Sequence, residues 1–145
     1  MKTKVYSAFP GVGKTTYFNN TNKNVLDSDS SKFDKSNFPS NYIQHIEKNI
    51  EDPSVDRILV SSHKDVREAL VERGIPFVLV YPDRSLKSEY IQRYKNRGNN
   101  EAFVSLLDKN WDTWMDEMDN MNAQPGQVLY KVKLGTGQYL TDVID

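Results

Sequence analysis

Residues 4–15 read KVYSAFPGVGKT: a short apolar run of strand length, then two glycines flanking a valine, then a lysine and a threonine. Glycine reaches backbone angles that a Cβ forbids, so a strand ending here turns sharply and hands the chain to a helix. That order restricts the chain to folds in which strands alternate with helices. The rest of the sequence repeats the alternation. Residues 24–27 (NVLD) are a second apolar run before the polar stretch 28–36, and the spacing of Tyr42, Ile43, Ile46 and Ile50 predicts a helix over 41–50, stopped by Asp52-Pro53. RILVS at 57–61 predicts a strand, 64–73 a helix ended by Gly74, and PFVLVY at 76–81 the most apolar strand, buried on both faces. Helices are expected over 85–97 and 101–121, a strand over 128–134, and a short helix or strand at YLTDVI.

Such alternation implies one α/β domain over 1–145. Its parallel sheet would have about five strands, with ligands gathering at their carboxyl ends. The charges, 19 basic against 20 acidic, net −1, argue against a broadly basic nucleic-acid surface. The absence of cysteine excludes disulfides, thiolate metal sites and a cysteine nucleophile, and fits a reducing cytoplasm. Two histidines leave little room for a histidine-built metal centre. No apolar run approaches the ~20 residues of a membrane helix, and the first residues run directly into a strand, so neither a membrane span nor a signal peptide is expected. Phe103, Leu106, Leu107, Trp111, Trp114, Met115 and Met118 recur three and four residues apart, the spacing of a core-facing helix rather than an aromatic cofactor site.

The stretch Ala8-Phe9-Pro10-Gly11-Val12-Gly13-Lys14-Thr15 has the Walker A arrangement with alanine in place of the first glycine. Gly11 and Gly13 let successive N–H groups turn inward around phosphate oxygens; Pro10, Val12 and Thr16 complete the cradle. Lys14 places a cation on the β and γ phosphates, Thr15 offers a hydroxyl to Mg²⁺, and the helix beginning there points its positive end at the anion. A nucleoside triphosphate with magnesium is the expected ligand. Kinase, ATPase and GTPase chemistry all remain open at this point.

Asp27-Ser28-Asp29-Ser30 follows the second strand and is expected to open beside the phosphate loop. Alternate carboxylates on an extended segment point in different directions: one can hold Mg²⁺ or its water, the other can meet a phosphate-accepting group. With this pair, AFPGVGKTT, the ILVSSH strand end and YPDRSLKSEYIQRYKNRG in view, the whole chain resembles a small P-loop kinase of the nucleoside monophosphate kinase superfamily. It resembles especially the short deoxynucleotide or adenylate kinase-like proteins encoded by bacteriophages, and VLDSDS also resembles the aspartate pair of shikimate and gluconate kinases. Of these segments only the loop is a specific motif. The resemblance implies a three-layer fold with sheet order 2-3-1-4-5, ATP and Mg²⁺ as cosubstrates, an acceptor site over the strand ends and a cytoplasmic setting, that of the host if the chain is phage-encoded. No aspartate ends the third strand, where many P-loop proteins hold a metal-binding carboxylate; Ser61, Ser62 and His63 stand there. The magnesium role therefore moves to Asp27, as the shikimate kinase resemblance suggests.

The resemblance also places a short helical lid at about 83–100, with Gly98, Asn99-Asn100 and Pro82-Asp83 as hinge material. Arg93 and Arg97, one helical turn apart, are candidates to close over the triphosphate; Glu89, four residues before Arg93, offers a plain surface ion pair as the competing account. His63 is either an acceptor contact or a helix cap, and His45, inside a helix, is structural. The expected activity is ATP- and Mg²⁺-dependent phosphoryl transfer to a nucleoside or deoxynucleoside monophosphate. Lys14, Asp27, Arg93 and Arg97 are expected to be catalytic, with Asp29, Ser61 and His63 at the acceptor. The alternatives are a kinase acting on a hydroxyl of a small metabolite or polynucleotide end, and a nucleotide-binding switch with slow hydrolysis.

Overall fold

The computed structural model describes residues 3–28, 33–122 and 129–144. In chain order the elements are β1 (Lys4–Ala8), α1 (Lys14–Asn20), β2 (Val25–Asp27), α2 (Ser40–Ile50), β3 (Arg57–Ser61), α3 (Lys64–Glu72), β4 (Phe77–Pro82), a 3-10 turn (Arg84–Leu86), α4 (Lys87–Asn96), α5 (Glu101–Asp119), β5 (Leu129–Leu134) and α6 (Leu140–Val143). The five strands form one parallel sheet in the order β2-β3-β1-β4-β5. Among the described residues no helix is long and apolar enough to cross a membrane.

Strand composition explains the order. RILVS and FVLVYP are almost wholly buried, as strands covered on both faces must be, whereas the edge strands β2 and β5 keep exposed positions. β1 sits centrally, its Ala8 opposite Ser61 on one side and Val80 on the other. This is the order expected from the sequence, and in it β3 flanks β1, so the Asp27 end of β2 reaches the loop after β1 only across β3.

The stripe of α5 is core: Leu107, Trp111, Met115 and Met118 are buried, while Leu106 faces solvent. At the carboxyl end of β1 Phe9 packs into the same core, its ring edge-on to Trp111 at 5.7 Å and to Tyr90 at 6.3 Å. Tyr94 joins the cluster, edge-on to Phe103 at 5.4 Å. The segment 83–100, expected as a short helical lid, is packed in this structure: Leu86, Tyr90 and Tyr94 are buried, and Trp111 Nε1 donates to the Arg84 carbonyl at 2.9 Å. Tyrosines four apart give α4 an apolar stripe that its many charges conceal.

Candidate functional site

The loop between β1 and α1 is set by its two glycines. Phe9 continues the sheet, its N–H donating to Val80 O at 3.0 Å, and Val12 N–H closes a turn on Phe9 O at 3.3 Å. Pro10 and Gly11 occupy the centre of that turn, and Gly11 has φ +91°. Proline followed by a positive-φ glycine is the pairing that a type II turn requires. Gly13, the N-cap of α1, has φ +96° and ψ +35°. A Cβ on Gly11 would lie 2.9 Å from Tyr94 Cε1, and one on Gly13 would lie 3.0 Å from Tyr139 Cδ1, so space as well as conformation demands glycine. Ala8 lies inside β1, paired on both sides, and no non-glycine among the described residues has positive φ. The first position of the motif therefore tolerates a Cβ here.

Lys14, Thr15 and Thr16 open α1 at the carboxyl edge of the sheet, with Thr15 and Thr16 exposed and Tyr17 anchoring the helix in the core. A helix leaves its first N–H groups without intrahelical partners, and here they face the same edge as the glycine turn. Three consecutive loop carbonyls are bound by distant groups: Pro10 O by the Tyr94 hydroxyl at 2.8 Å, Gly11 O by Arg93 Nη1 at 2.8 Å, and Val12 O by Leu140 N–H at 2.8 Å.

At the neighbouring strand ends, Ser61 is buried opposite Ala8; its carbonyl accepts from Ser7 Oγ at 2.9 Å and its hydroxyl accepts from His63 N–H at 3.1 Å. His63 is the N-cap residue of α3, with no cap bond from its side chain. Its ring reaches solvent, yet desolvation by the surrounding protein, aided by the charges of Lys14 and Arg67 and opposed by Asp65, holds its pKa below the ordinary value. Asp27 is exposed at the end of β2, and Asp29 lies outside the described residues.

Tyr42, which sequence reasoning treated only as an apolar helix position, ties these ends together. Its hydroxyl donates to Ser28 O at 2.6 Å and accepts from Ser61 N–H at 3.2 Å. His45 adds to the same corner, with Nε2 3.0 Å from Ser28 Oγ. That is a structural role.

The two lid arginines are separated rather than joined. Arg93, its side chain only 9% exposed, pairs with Glu89 at 2.7 Å and lies between the rings of Tyr90 and Tyr139, 4.3 and 4.0 Å from their centroids. The ion-pair account of the Glu89 spacing is therefore present, but buried rather than on the surface. Arg93 is thus occupied against the loop backbone instead of reaching out from a lid, because its neighbours at i−3 and i+1 are core tyrosines. Arg97 is exposed, donates to Asn99 Oδ1 at 3.1 Å and lies over Tyr94. Farther along the same edge, a cleft of about 320 Å³ opens between the ends of β4 and β5, lined by Asp83, Leu86, Lys133 and Thr136 among others. No family model, curated protein or solved structure matches the chain.

Proposed function

We propose that this chain is a P-loop kinase that transfers the γ-phosphoryl group of ATP to a small acceptor, with a nucleoside or deoxynucleoside monophosphate as the first choice. The observation that carries the proposal is the β1–α1 loop, with Gly11 and Gly13 both at positive φ, Lys14 at the first helical position and the whole loop at the carboxyl edge of a parallel 2-3-1-4-5 sheet. Phosphoryl transfer depends on positioning and charge neutralisation more than on a strong nucleophile. Residues 10–16 form the cradle, and Lys14 neutralises charge on the β and γ phosphates.

The donor set suits magnesium. Thr15 offers an exposed hydroxyl at the start of α1 and Asp27 an exposed carboxylate at the end of β2, hard oxygens of the kind Mg²⁺ takes alongside phosphate and water. Two strand spacings, about 10 Å, separate β2 from β1, so Asp27 would hold magnesium through its water while Thr15 would offer its hydroxyl directly. Bound there, magnesium would neutralise the phosphate oxygens. In this reading the acceptor lies over the ends of β2 and β3, against His63, with buried Ser61 shaping the floor, and Asp29 keeps the acceptor role expected from the sequence. A neutral His63 imidazole can accept a hydrogen bond from the acceptor.

One observation favours the nucleotide-binding switch as a second reading: Arg93 is bonded to the loop and Arg97 to its own helix end, leaving neither extended toward a transferring phosphoryl group. A coupled ADP-release screen with ATP, Mg²⁺ and a panel of monophosphates, metabolite alcohols and 5′-hydroxyl oligonucleotides separates the two. Acceptor-dependent ADP release, cut ~10²-fold or more in Lys14→Ala, is the expected result, the scale of losing one preorganised charge contact. Tight ATP binding without acceptor dependence would favour the switch, and near wild-type turnover of Lys14→Ala on every acceptor refutes the kinase assignment.

A further inference from the structure

The three bonds behind the loop carry an inference that deepens the phosphoryl-transfer reading and rests on it. We propose that Tyr94 and Arg93, with the Leu140 N–H, are positioning groups that aim the amides of the phosphate loop at the nucleotide from the opposite side of the loop. In a trans peptide the carbonyl and the following N–H point in opposite directions, and the only cis bond among the described residues is Phe38-Pro39. Fixing the carbonyls of Pro10, Gly11 and Val12 therefore fixes the directions of the Gly11, Val12 and Gly13 N–H groups, each opposite its own bound carbonyl. Val12 N–H closes the turn on Phe9 O; among the described residues, neither Gly11 nor Gly13 donates to a backbone carbonyl.

The same bonds polarise the loop. A donor on a carbonyl strengthens the N–H across the peptide, since hydrogen bonds in series reinforce one another in a low dielectric. Each device is itself held. Tyr94 is fully buried, so its hydroxyl cannot trade Pro10 O for water, and the same seclusion raises its pKa, keeping it protonated. Arg93 is fixed by Glu89, by the Gln138 carbonyl at 3.1 Å and by its place between Tyr90 and Tyr139. Leu140 opens α6, where an N–H has no intrahelical partner and is available to Val12 O. Glu89 also accepts from Gly137 N–H at 3.1 Å, so α4 and the β5–α6 connection converge on this one guanidinium.

A role confined to packing α4 against the sheet predicts loss of stability and nothing else. Aiming the amides predicts a change at the loop in a protein that remains folded. The decisive variant is Tyr94→Phe, which removes one hydroxyl and leaves the ring; Arg93→Lys, which keeps the charge and loses the fork, is the second. Two quantities are read on wild type and variants: the Kd for ATP with Mg²⁺ by calorimetry, and the backbone amide resonances of the seven glycines in the nucleotide-free protein. The expected result for Tyr94→Phe is an unchanged far-UV spectrum, a Gly11 amide resonance displaced while Gly74 and Gly98 stay in place, and a Kd raised about fivefold, the scale of one hydrogen bond. Wild-type affinity and an unmoved Gly11 resonance in a folded Tyr94→Phe overturn the inference and leave the kinase proposal intact. If wild type binds no ATP, both fall. Should Arg93→Lys fail to fold, Tyr94→Phe decides alone.

Discussion

Gly11 and Gly98 provide a matched pair from which the crowding behind the phosphate loop can be measured. Both have positive φ, +91° and +81°. Alanine in that region costs about 1–2 kcal/mol, offset in part because alanine also narrows the unfolded ensemble; both terms are shared by the two sites. They differ in surroundings. A Cβ on Gly98 meets nothing within 4 Å, whereas on Gly11 it falls 2.9 Å from Tyr94 Cε1 and 3.3 Å from Tyr90 Cδ2. Those rings are fully buried and cannot swing into solvent, so the extra methyl at Gly11 acts as core overpacking, worth about 1–3 kcal/mol. Gly98→Ala should therefore lose about 1 kcal/mol and Gly11→Ala about 2–4 kcal/mol. At about 2–4 °C per kcal/mol for a chain of this size, Gly11→Ala should melt several degrees below Gly98→Ala. Urea unfolding with linear extrapolation reads the difference, provided the two m-values agree. Equal losses at the two positions would refute the packing of α4 against the loop, and with it the positioning role of Tyr94 and Arg93.

Asp27→Asn should lower kcat at saturating magnesium and acceptor while leaving the urea midpoint unchanged, since the side chain is exposed; Asp29→Asn should raise the acceptor KM or lower kcat, and negligible effects from both return the segment to a solvated loop. Arg97→Ala should reduce kcat more than ATP affinity if the arginine reaches the transferring group, with stability altered by less than about 0.5 kcal/mol; full activity removes it from the catalytic set. His45 is held below its ordinary pKa of 6.5 by burial first and by Lys48 second, so the unfolded chain takes up the proton first as pH falls. The stability it contributes is present above about pH 6.5 and is lost as pH drops through the folded pKa; His45→Gln should shrink the fall in urea midpoint between pH 7.5 and 5.5, and an equal fall in the variant refutes the assignment.

Apolar runs of strand length are legible because a central parallel strand must be buried on both faces, and β1 and β3 fall on the predicted residues, with β4 displaced by one. The glycine loop is legible for a similar reason: positive φ at Gly11 and Gly13 is a local demand. Arg93 shows where such reading stops. Its charge suggests solvent or phosphate, but the partners that desolvate it include Gly11 O, 82 residues away, and Gln138 O, 45 residues away. The i, i+4 tyrosines of α4 were a usable signal, masked by the basic residues around them. Tyr42 had no such signal, because its spacing reports a buried face and says nothing of where a hydroxyl ends.

The phosphate loop is a local motif whose shape is held from a distance. Fixing the backbone of one residue costs about 1–2 kcal/mol in conformational entropy, so ordering the about five residues of the loop is a substantial cost that must be met either on folding or on binding. Phe9 in the aromatic cluster, the three bound carbonyls and the two glycines wedged against Tyr94 and Tyr139 place that cost in the folding step. Under the proposed function, nucleotide binding would draw on a loop already in position, the condition under which contacts translate into affinity rather than ordering. Two classes of substitution follow from this division. Removing Lys14 deletes a charge from a loop that keeps its shape, whereas loosening α4 or the 135–140 connection keeps every motif residue and returns the ordering cost to the binding step.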